Sequence, residues 1–319
     1  MTAEIIDGRA IARDLKAEVA REVKQLRDDA TPCALASVMV GETYSSSAYE
    51  RRLRRLAEEL DVPYVCRRFP ADCSQDDLLA GLRVLNQDVS ISGILVLRPL
   101  PATIHEPTVY GTLSALKDVE AVHPENAGLL ALGKPRYIPS TAASVFHILD
   151  TWLRRDGRDL EDFYRRATVA VVGRSSNVGK PAVSLAYARE ATVISVDEWA
   201  SRHGRLAEMT RQADVLVVAA GVAGLIRAEH VKDGAIVLDV GINARTDPVT
   251  REVHMVGDVD TAGAATRARA LTPVPGGVGP VTDIWLIRNT VAAARELAAA
   301  GEDGLPNHQR TAPGDEPQW

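Results

Sequence analysis

Gly173-Arg174-Ser175-Ser176-Asn177-Val178-Gly179-Lys180-Pro181 follows the apolar run Ala167–Val172 and opens a helical pattern. A glycine-bounded turn there lets backbone N–H groups face a pyrophosphate at a helix N-terminus. The spacing is G-x5-G, not G-x-G-x-x-G, so it equally suits a tight strand-to-helix connection without a ligand. Asp197 stands 24 residues after Gly173, at the end of the next strand pattern, with Glu198 beside it. A carboxylate at that point accepts hydrogen bonds from ribose hydroxyls and repels a 2′-phosphate. The chemistry is that of a dinucleotide site preferring NAD over NADP. A capping or solvated acid is the competing reading.

Other chemistries find little support. Cys33, Cys66 and Cys73 form no C-x-x-C pair, and the seven His residues form no H-E-x-x-H, so no metal site is expected. The chain has six Lys, and none lies between Lys24 and Lys117. That gap removes amine chemistry from a quarter of the sequence.

These residues need a scaffold. The 319 residues exceed what one core usually serves, which favours two domains. A hydrophobic share of 46% is that of a folded globule. A formal charge of −6 argues against nucleic-acid binding. No apolar run approaches the ~18 residues of a membrane span. The N-terminal stretch shows no basic region followed by an apolar one, so a cytoplasmic protein is expected.

Helix and strand patterns alternate. Apolar Ile11, Leu15, Val19, Val23 and Leu26 predict a helix over 8–28. Strands are expected at 34–40, 62–69 and 91–97, with helices at 44–60 and 76–86 between them. Residues 99–134 read as an irregular loop region. A helix over 140–154 with Ser140 or Thr141 as N-cap comes next. Strands at 167–172, 192–196, 215–219 and 236–240 make a second parallel set of Rossmann type, with helices running to Glu190 and over 205–213. Residues 271–282 read as a Gly/Pro-rich loop, 284–300 as a final helix and 303–319 as a disordered tail.

The strings VVGRSSNVGKPAVSLA, AIVLDVGIN, VGDVD and LTPVPGGVGPVTDIWLIRNTV resemble the bifunctional methylenetetrahydrofolate dehydrogenase/cyclohydrolase family. IIDGRAIARDL, VGETYSSSAY, GILVLRPLP, KDVEAVHPENAG and PSTAAS look like its N-terminal landmarks, in order. The resemblance covers about residues 5–298. It implies an α/β folate domain over 1–145 completed by 278–302, a Rossmann domain over 146–277, and a homodimer. It implies NAD held by Thr141, Gly173, Arg174, Ser175, Val178, Gly179, Asp197, Ala220, Gly241, Ile242 and Thr272. A tetrahydrofolate one-carbon adduct would lie against Tyr49, Glu120, Pro273, Gly276, Gly277 and Gly279. The implied chemistry is hydride transfer from the methylene carbon, then, in bifunctional members, hydrolysis of the methenyl product.

The resemblance implies catalytic positions at Tyr49, Leu53, Arg98 and Glu120, and the departures cluster around them. The family's Y-x-x-x-K keeps Tyr49 but has Leu53 for the lysine, which cannot move protons. Its Q-L-P-L-P corresponds to Leu97-Arg98-Pro99-Leu100-Pro101, where Arg98 suggests a cation moved from 53 to 98. D-V-D-G becomes Asp118-Val119-Glu120-Ala121, and Ala121 lacks glycine's freedom. A proline and a glycine are lost within Pro139–Ser144, where the family has P-C/S-T-P-x-G. Members using NADP typically carry His-Ser where this chain has Asp197-Glu198. Together these imply an NAD-dependent dehydrogenase with little or no cyclohydrolase. A repurposed paralogue acting on a related cyclic aminal and a non-catalytic binding protein are the alternatives.

Overall fold

The computed structural model describes residues 3–246 and 251–303. The expected tail over 303–319 lies outside the described residues except for Asp303 itself. Two compact units divide the chain, and the first and last divisions fall inside two long helices.

The chain opens with a short strand β1 (Glu4–Ile5) and helix α1 (Gly8–Asp28). Asp7 Oδ1 accepts the amides of Arg9 and Ala10, which fixes where α1 starts. All five apolar positions of its predicted stripe are buried. One unit comprises Val19–Val119, His123–Asn126 and Ile287–Trp319. It holds β2 (Leu35–Val40), α2 (Tyr44–Glu59), β3 (Tyr64–Phe69), α3 (Gln75–Gln87) and β4 (Gly93–Val96). The three strands are parallel in the order β3-β2-β4. Central β2 is buried along its whole length, while edge strand β3 is half exposed. Thr43 and Ser46 cap α2 reciprocally, and Ser74 caps α3. The region read as irregular contains α4 (Glu106–Thr112) and α5 (Pro124–Ala131). Both are short and built around Pro, Gly and Thr, which hides them from a periodicity reading.

The other unit comprises Met1–Glu18, Glu120–Val122 and Ala127–Leu286. After α6 (Ser140–Arg155) and α7 (Leu160–Arg166) come β5 (Thr168–Val172), α8 (Gly179–Ala188), β6 (Thr192–Val196), α9 (Glu198–Arg202), α10 (Leu206–Thr210), β7 (Val215–Val218) and β8 (Ile236–Asp239). The hairpin β9 (Asn243–Thr246) and β10 (Val253–Val256), α11 (Thr261–Ala264), β11 (Ala270–Leu271) and α12 (Val278–Asp303) follow. The sheet is parallel, in the order β1-β11-β8-β7-β5-β6. Its inner strands β5, β7, β8 and β11 are buried on both faces, which is why they read as continuous apolar runs, while edge strands β1 and β6 are partly exposed.

This partition differs from the expected 1–145 and 146–277 division. Residues 1–18 join the six-stranded sheet because β1 pairs with β11. The start of α6 joins it because α6 carries Asp150, which pairs with Arg189 at the end of α8. Tyr164 on α7 donates to the same Asp150, closing a buried triad. The final helix begins at Val278, not Ile284. Pro280 falls in its first turn, where a missing amide costs nothing because first-turn amides have no helical partner.

Candidate active site

The turn after β5 has the form a pyrophosphate needs. Gly173 takes φ +114, and a Cβ on it would lie 2.1 Å from the Ala219 carbonyl oxygen. Gly179 passes Gly173 as closely, so this turn is closed backbone against backbone. Among the described residues the amides of residues 174–178 donate to nothing. Ser175 Oγ accepts the Gly179 amide at the first turn of α8. Five free amides in front of a ten-residue helix fit an anionic phosphate pair.

Asp197 ends β6 and is already engaged on both oxygens. Oδ1 accepts the Ala200 amide and caps α9, and Oδ2 pairs with Arg174 Nη1 at 2.9 Å. Arg174 also donates to Ser195 Oγ and to the Ser195 carbonyl. Glu198 pairs with Arg202. Each of the two acids therefore has its own guanidinium, and the local charge is balanced rather than negative. Each oxygen of a carboxylate can still accept a second hydrogen bond from a ribose hydroxyl.

Two buried carboxylates organise the loops beside this turn. Asp258 Oδ2 accepts the amides of Ala220 at 2.7 Å and Gly221 at 2.8 Å, and Oδ1 accepts Asn243 Nδ2. Asp239 accepts the amides of Gly241, Asp258 and Val259. The Asp239 amide donates to Thr272 Oγ1, so Thr272 is buried and its hydroxyl committed. Burial first, and the charge of Asp258, push the Asp239 carboxyl up to about 6 against its three backbone donors. Ala220, Gly241 and Thr272 are thus tied together, while Ile242 stands exposed at 59%. Sequence reading missed both acids. They sit at strand ends among glycines, and no spacing rule assigns such an acid a role.

Thr272 leads into Pro273 and the Gly276–Gly277 segment. Gly276 takes φ +106, and Gly277 packs on Pro273 and Thr272 too tightly for a Cβ. Gly279, inside α12, has no heavy atom within 4 Å of a would-be Cβ.

Glu120 Oε1 accepts the Ser140 amide at 3.3 Å. The expected cap from Ser140 or Thr141 is corrected: Pro139 precedes α6, makes no side-chain cap, and Glu120 supplies the acceptor. Thr141 is the second residue of that helix. Ala121 takes φ +50, a left-handed conformation that a residue with a Cβ disfavours.

Tyr49, Leu53 and Arg98 belong to the three-stranded unit. Leu53 is fully buried on α2, one turn from Glu50, which is also buried and pairs with Arg54 and Arg68. Arg52 lies over the Tyr49 ring, 5.0 Å from its centroid. Arg98 is not a free cation. Its Nε donates to Tyr110 Oη at 2.7 Å, and Nη2 pairs with Glu106 at 3.3 Å, both on α4. The two lysines bounding the gap are held elsewhere, Lys24 by Asp28 and Lys117 by the carbonyls of Leu85 and Asp88.

Comparison with known families decides between a generic dinucleotide fold and a specific one. Residues 6–120 match the tetrahydrofolate dehydrogenase/cyclohydrolase catalytic domain, and residues 139–298 match the NAD(P)-binding domain of the same family. The chain belongs to the tetrahydrofolate dehydrogenase/cyclohydrolase family. It is 57% identical to bifunctional protein FolD 2 of Rubrobacter xylanophilus, over 96% of this chain and 97% of that protein. It is equally close to FolD 3 of that organism, over 94% of each. Among solved structures, the Trypanosoma brucei N5,N10-methylenetetrahydrofolate dehydrogenase-cyclohydrolase, complexed with NADP and an inhibitor, superposes with a TM-score of 0.84. The match covers 92% of this chain and 98% of that one, at 33% identity. This tetrahydrofolate dehydrogenase/cyclohydrolase member keeps the two-domain α/β architecture of its relatives. Among its described residues no helix is long and apolar enough to cross a membrane.

Proposed function

We propose that the chain oxidises 5,10-methylenetetrahydrofolate to 5,10-methenyltetrahydrofolate, with NAD as hydride acceptor, and hydrolyses the methenyl product weakly or not at all. Bound NAD supplies the acceptor ring. The residues hold and orient: the free amides of 174–178 and Ser175 take the pyrophosphate, and Asp197 takes the ribose hydroxyls. Arg174, Val178, Gly179, Ala220, Gly241, Ile242, Thr272 and Thr141 complete that half. Glu120 and Tyr49 orient the folate, and Pro273, Gly276, Gly277 and Gly279 line it. Hydride loss leaves a cation shared by the two folate nitrogens, so positioning is the main task.

The observation that carries the reading is Leu53. By the motif resemblance Leu53 falls at the position of the family's proton-transferring lysine; it is fully buried, and Arg98 is committed to Glu106 and Tyr110. A guanidinium stays protonated and makes a poor general base. The test is a spectrophotometric assay with 5,10-methylenetetrahydrofolate and either NAD or NADP, following NADH and the methenyl product separately. Faster turnover with NAD and methenyl decay at the uncatalysed rate support the proposal. Catalysed methenyl hydrolysis overturns the second half, and NADP preference overturns the cofactor half.

The printed names of the relatives are bifunctional, and the T. brucei structure holds NADP. The proposal therefore sets this chain apart from them on two points. Strain at Ala121 and the longer Glu120 favour, as a second reading, a related cyclic aminal or one-carbon adduct as substrate. Turnover of such a compound but not of methylenetetrahydrofolate would establish it. A cytoplasmic homodimer is the assembly we propose, to be checked by sedimentation.

A further inference from the structure

We propose that Asp258 is a positioning residue for the nicotinamide ring, an inference that deepens the cofactor reading above and rests on it. Asp258 is fully buried, and among the described residues no cation pairs with it. Its carboxylate stands where two neighbouring strands end. Strand β7 makes its last sheet bond when the Ala219 amide donates to the Val172 carbonyl at 2.8 Å. The next two amides, of Ala220 and Gly221, donate to Asp258 Oδ2 instead. Strand β8 ends likewise with the Val240 amide on the Val218 carbonyl, and a little further on Asn243 Nδ2 donates to Asp258 Oδ1. One side chain therefore holds both strand-end loops. The backbone leaves room for it: a Cβ on Gly241 would lie 2.2 Å from Asp258 Oδ1.

The direction of the peptides follows from these bonds. Both peptides whose amides meet Asp258 Oδ2 are trans. A trans peptide points its carbonyl opposite to its N–H. The Ala219 carbonyl accordingly runs towards the glycine turn, where its oxygen lies 2.1 Å from a would-be Cβ on Gly173. The Ala220 carbonyl also points away from Asp258, and among the described residues it accepts from nothing. Strands β5 and β7 are neighbours, and the chain leaves them in opposite directions, to β6 and to β8. That is the switch point at which an α/β sheet receives its ligand. An open acceptor beside it calls for a donor from the ligand.

The chemistry of NAD selects the donor. Its pyrophosphate is already matched by the turn at 174–178. The carboxamide N–H group is the only hydrogen-bond donor on the nicotinamide ring. A bond from it to the Ala220 carbonyl fixes the ring's rotation, and so which face meets the hydride donor. Asp258 acts through the Ala220–Gly221 peptide and touches no reacting atom.

The test uses NAD and 3-acetylpyridine adenine dinucleotide, whose methyl ketone replaces the carboxamide and lacks the N–H donor. Both serve as hydride acceptors for wild type, Asp258→Ala and Asp258→Asn. Comparing the ratio of their kcat/KM values between proteins cancels their intrinsic difference in reactivity. Asp258→Ala lowers kcat with NAD and cuts the NAD-to-analogue ratio about fivefold, the size of one neutral hydrogen bond. Asp258→Asn keeps most of the ratio, because its amide oxygen still accepts the two backbone amides and Asn243 can turn its own oxygen to the new NH2. A loss of stability alone lowers activity with both acceptors equally. A ratio unchanged in Asp258→Ala, or lost as fully in Asp258→Asn, overturns the assignment and leaves the cofactor reading standing. Where Asp258→Ala does not fold, Asp258→Ser, whose hydroxyl is too short for both amides, replaces it. If folded wild type prefers NADP, the corresponding 2′-phosphorylated pair tests Asp258 while the NAD reading falls. If it turns over neither cofactor, both fall together.

Discussion

Arg174 Nη1 lies 2.9 Å from Asp197 Oδ2, an ion pair that ties the turn after β5 to the end of β6. The same acid that would receive the ribose hydroxyls restrains the one arginine of the turn that could meet a 2′-phosphate. Asp197→Ser removes the acceptor and frees Arg174 Nη1, while Nε and Nη2 keep their bonds to Ser195. A hydrogen bond to a charged group contributes about 1.5–3 kcal/mol, so kcat/KM with NAD should fall roughly tenfold or more. The NADP-to-NAD ratio should rise by more than that. Steady-state kinetics with both cofactors measure it, and an unchanged ratio would show that Asp197 does not set the choice.

Asp239 gives the molecule an unusual pH response. Its carboxyl is raised from 3.8 to about 6, chiefly by burial. A raised acid favours the folded state fully below its unfolded pKa and loses that contribution as pH rises through the folded one. Between about pH 4 and pH 6 this group should therefore cost the native state roughly 3 kcal/mol. Urea unfolding of wild type and Asp239→Asn at pH 4.5 and pH 7 isolates the effect. The wild type should lose more stability over that interval than the variant, and parallel curves would refute the raised value.

Gly279 and Gly8 separate a glycine needed by a ligand from one needed by the fold. No atom lies within 4 Å of a would-be Cβ on Gly279, so Gly279→Ala should gain up to about 1 kcal/mol of helix stability. If the folate approaches there, its KM rises all the same. Gly8→Ala forces a Cβ to 1.9 Å from a carbonyl oxygen and should lower both the melting temperature and folate affinity. Thermal melts paired with KM values decide both cases.

Ala121 carries φ +50, in the left-handed region. Left-handed backbone costs a residue with a Cβ roughly 1 kcal/mol, so Ala121→Gly should stabilise the protein by up to that amount. Because Ala121 follows Glu120, a change in folate KM with unchanged kcat would place the strain at the substrate. Denaturant unfolding and kinetics on the same preparation suffice.

The buried parallel strands were legible because burial on both faces writes a continuous apolar run. The glycine turn and Asp197 were legible because a strand, a turn and a helix must follow each other in sequence to build them. The ion pair between Asp197 and Arg174 was not, since it joins residues 23 positions apart through side-chain conformation. Nor was the pairing of Arg98 with Glu106, which turns an apparent gain of catalytic charge into a local salt bridge. Asp239 and Asp258 escaped for the same reason: their partners are backbone amides, which every sequence contains. The short helices at Glu106–Thr112 and Pro124–Ala131 carry too few turns for a period to show.

Strand β3 has one strand neighbour, β2, and its other side presents an open row of amides and carbonyls. Val65 is exposed there, and a bare apolar edge invites a second copy to add a strand. Arg67 and Arg68 follow two residues later, both exposed. Arg68 is paired with Glu42 and Glu50, so when two such edges approach it is the Arg67 guanidinium of each that meets its like, and like charges resist stacking of one sheet onto another. That protection is electrostatic, so concentrated salt should weaken it. Two molecules meeting at this edge in strong brine therefore repel each other less than they do in dilute buffer.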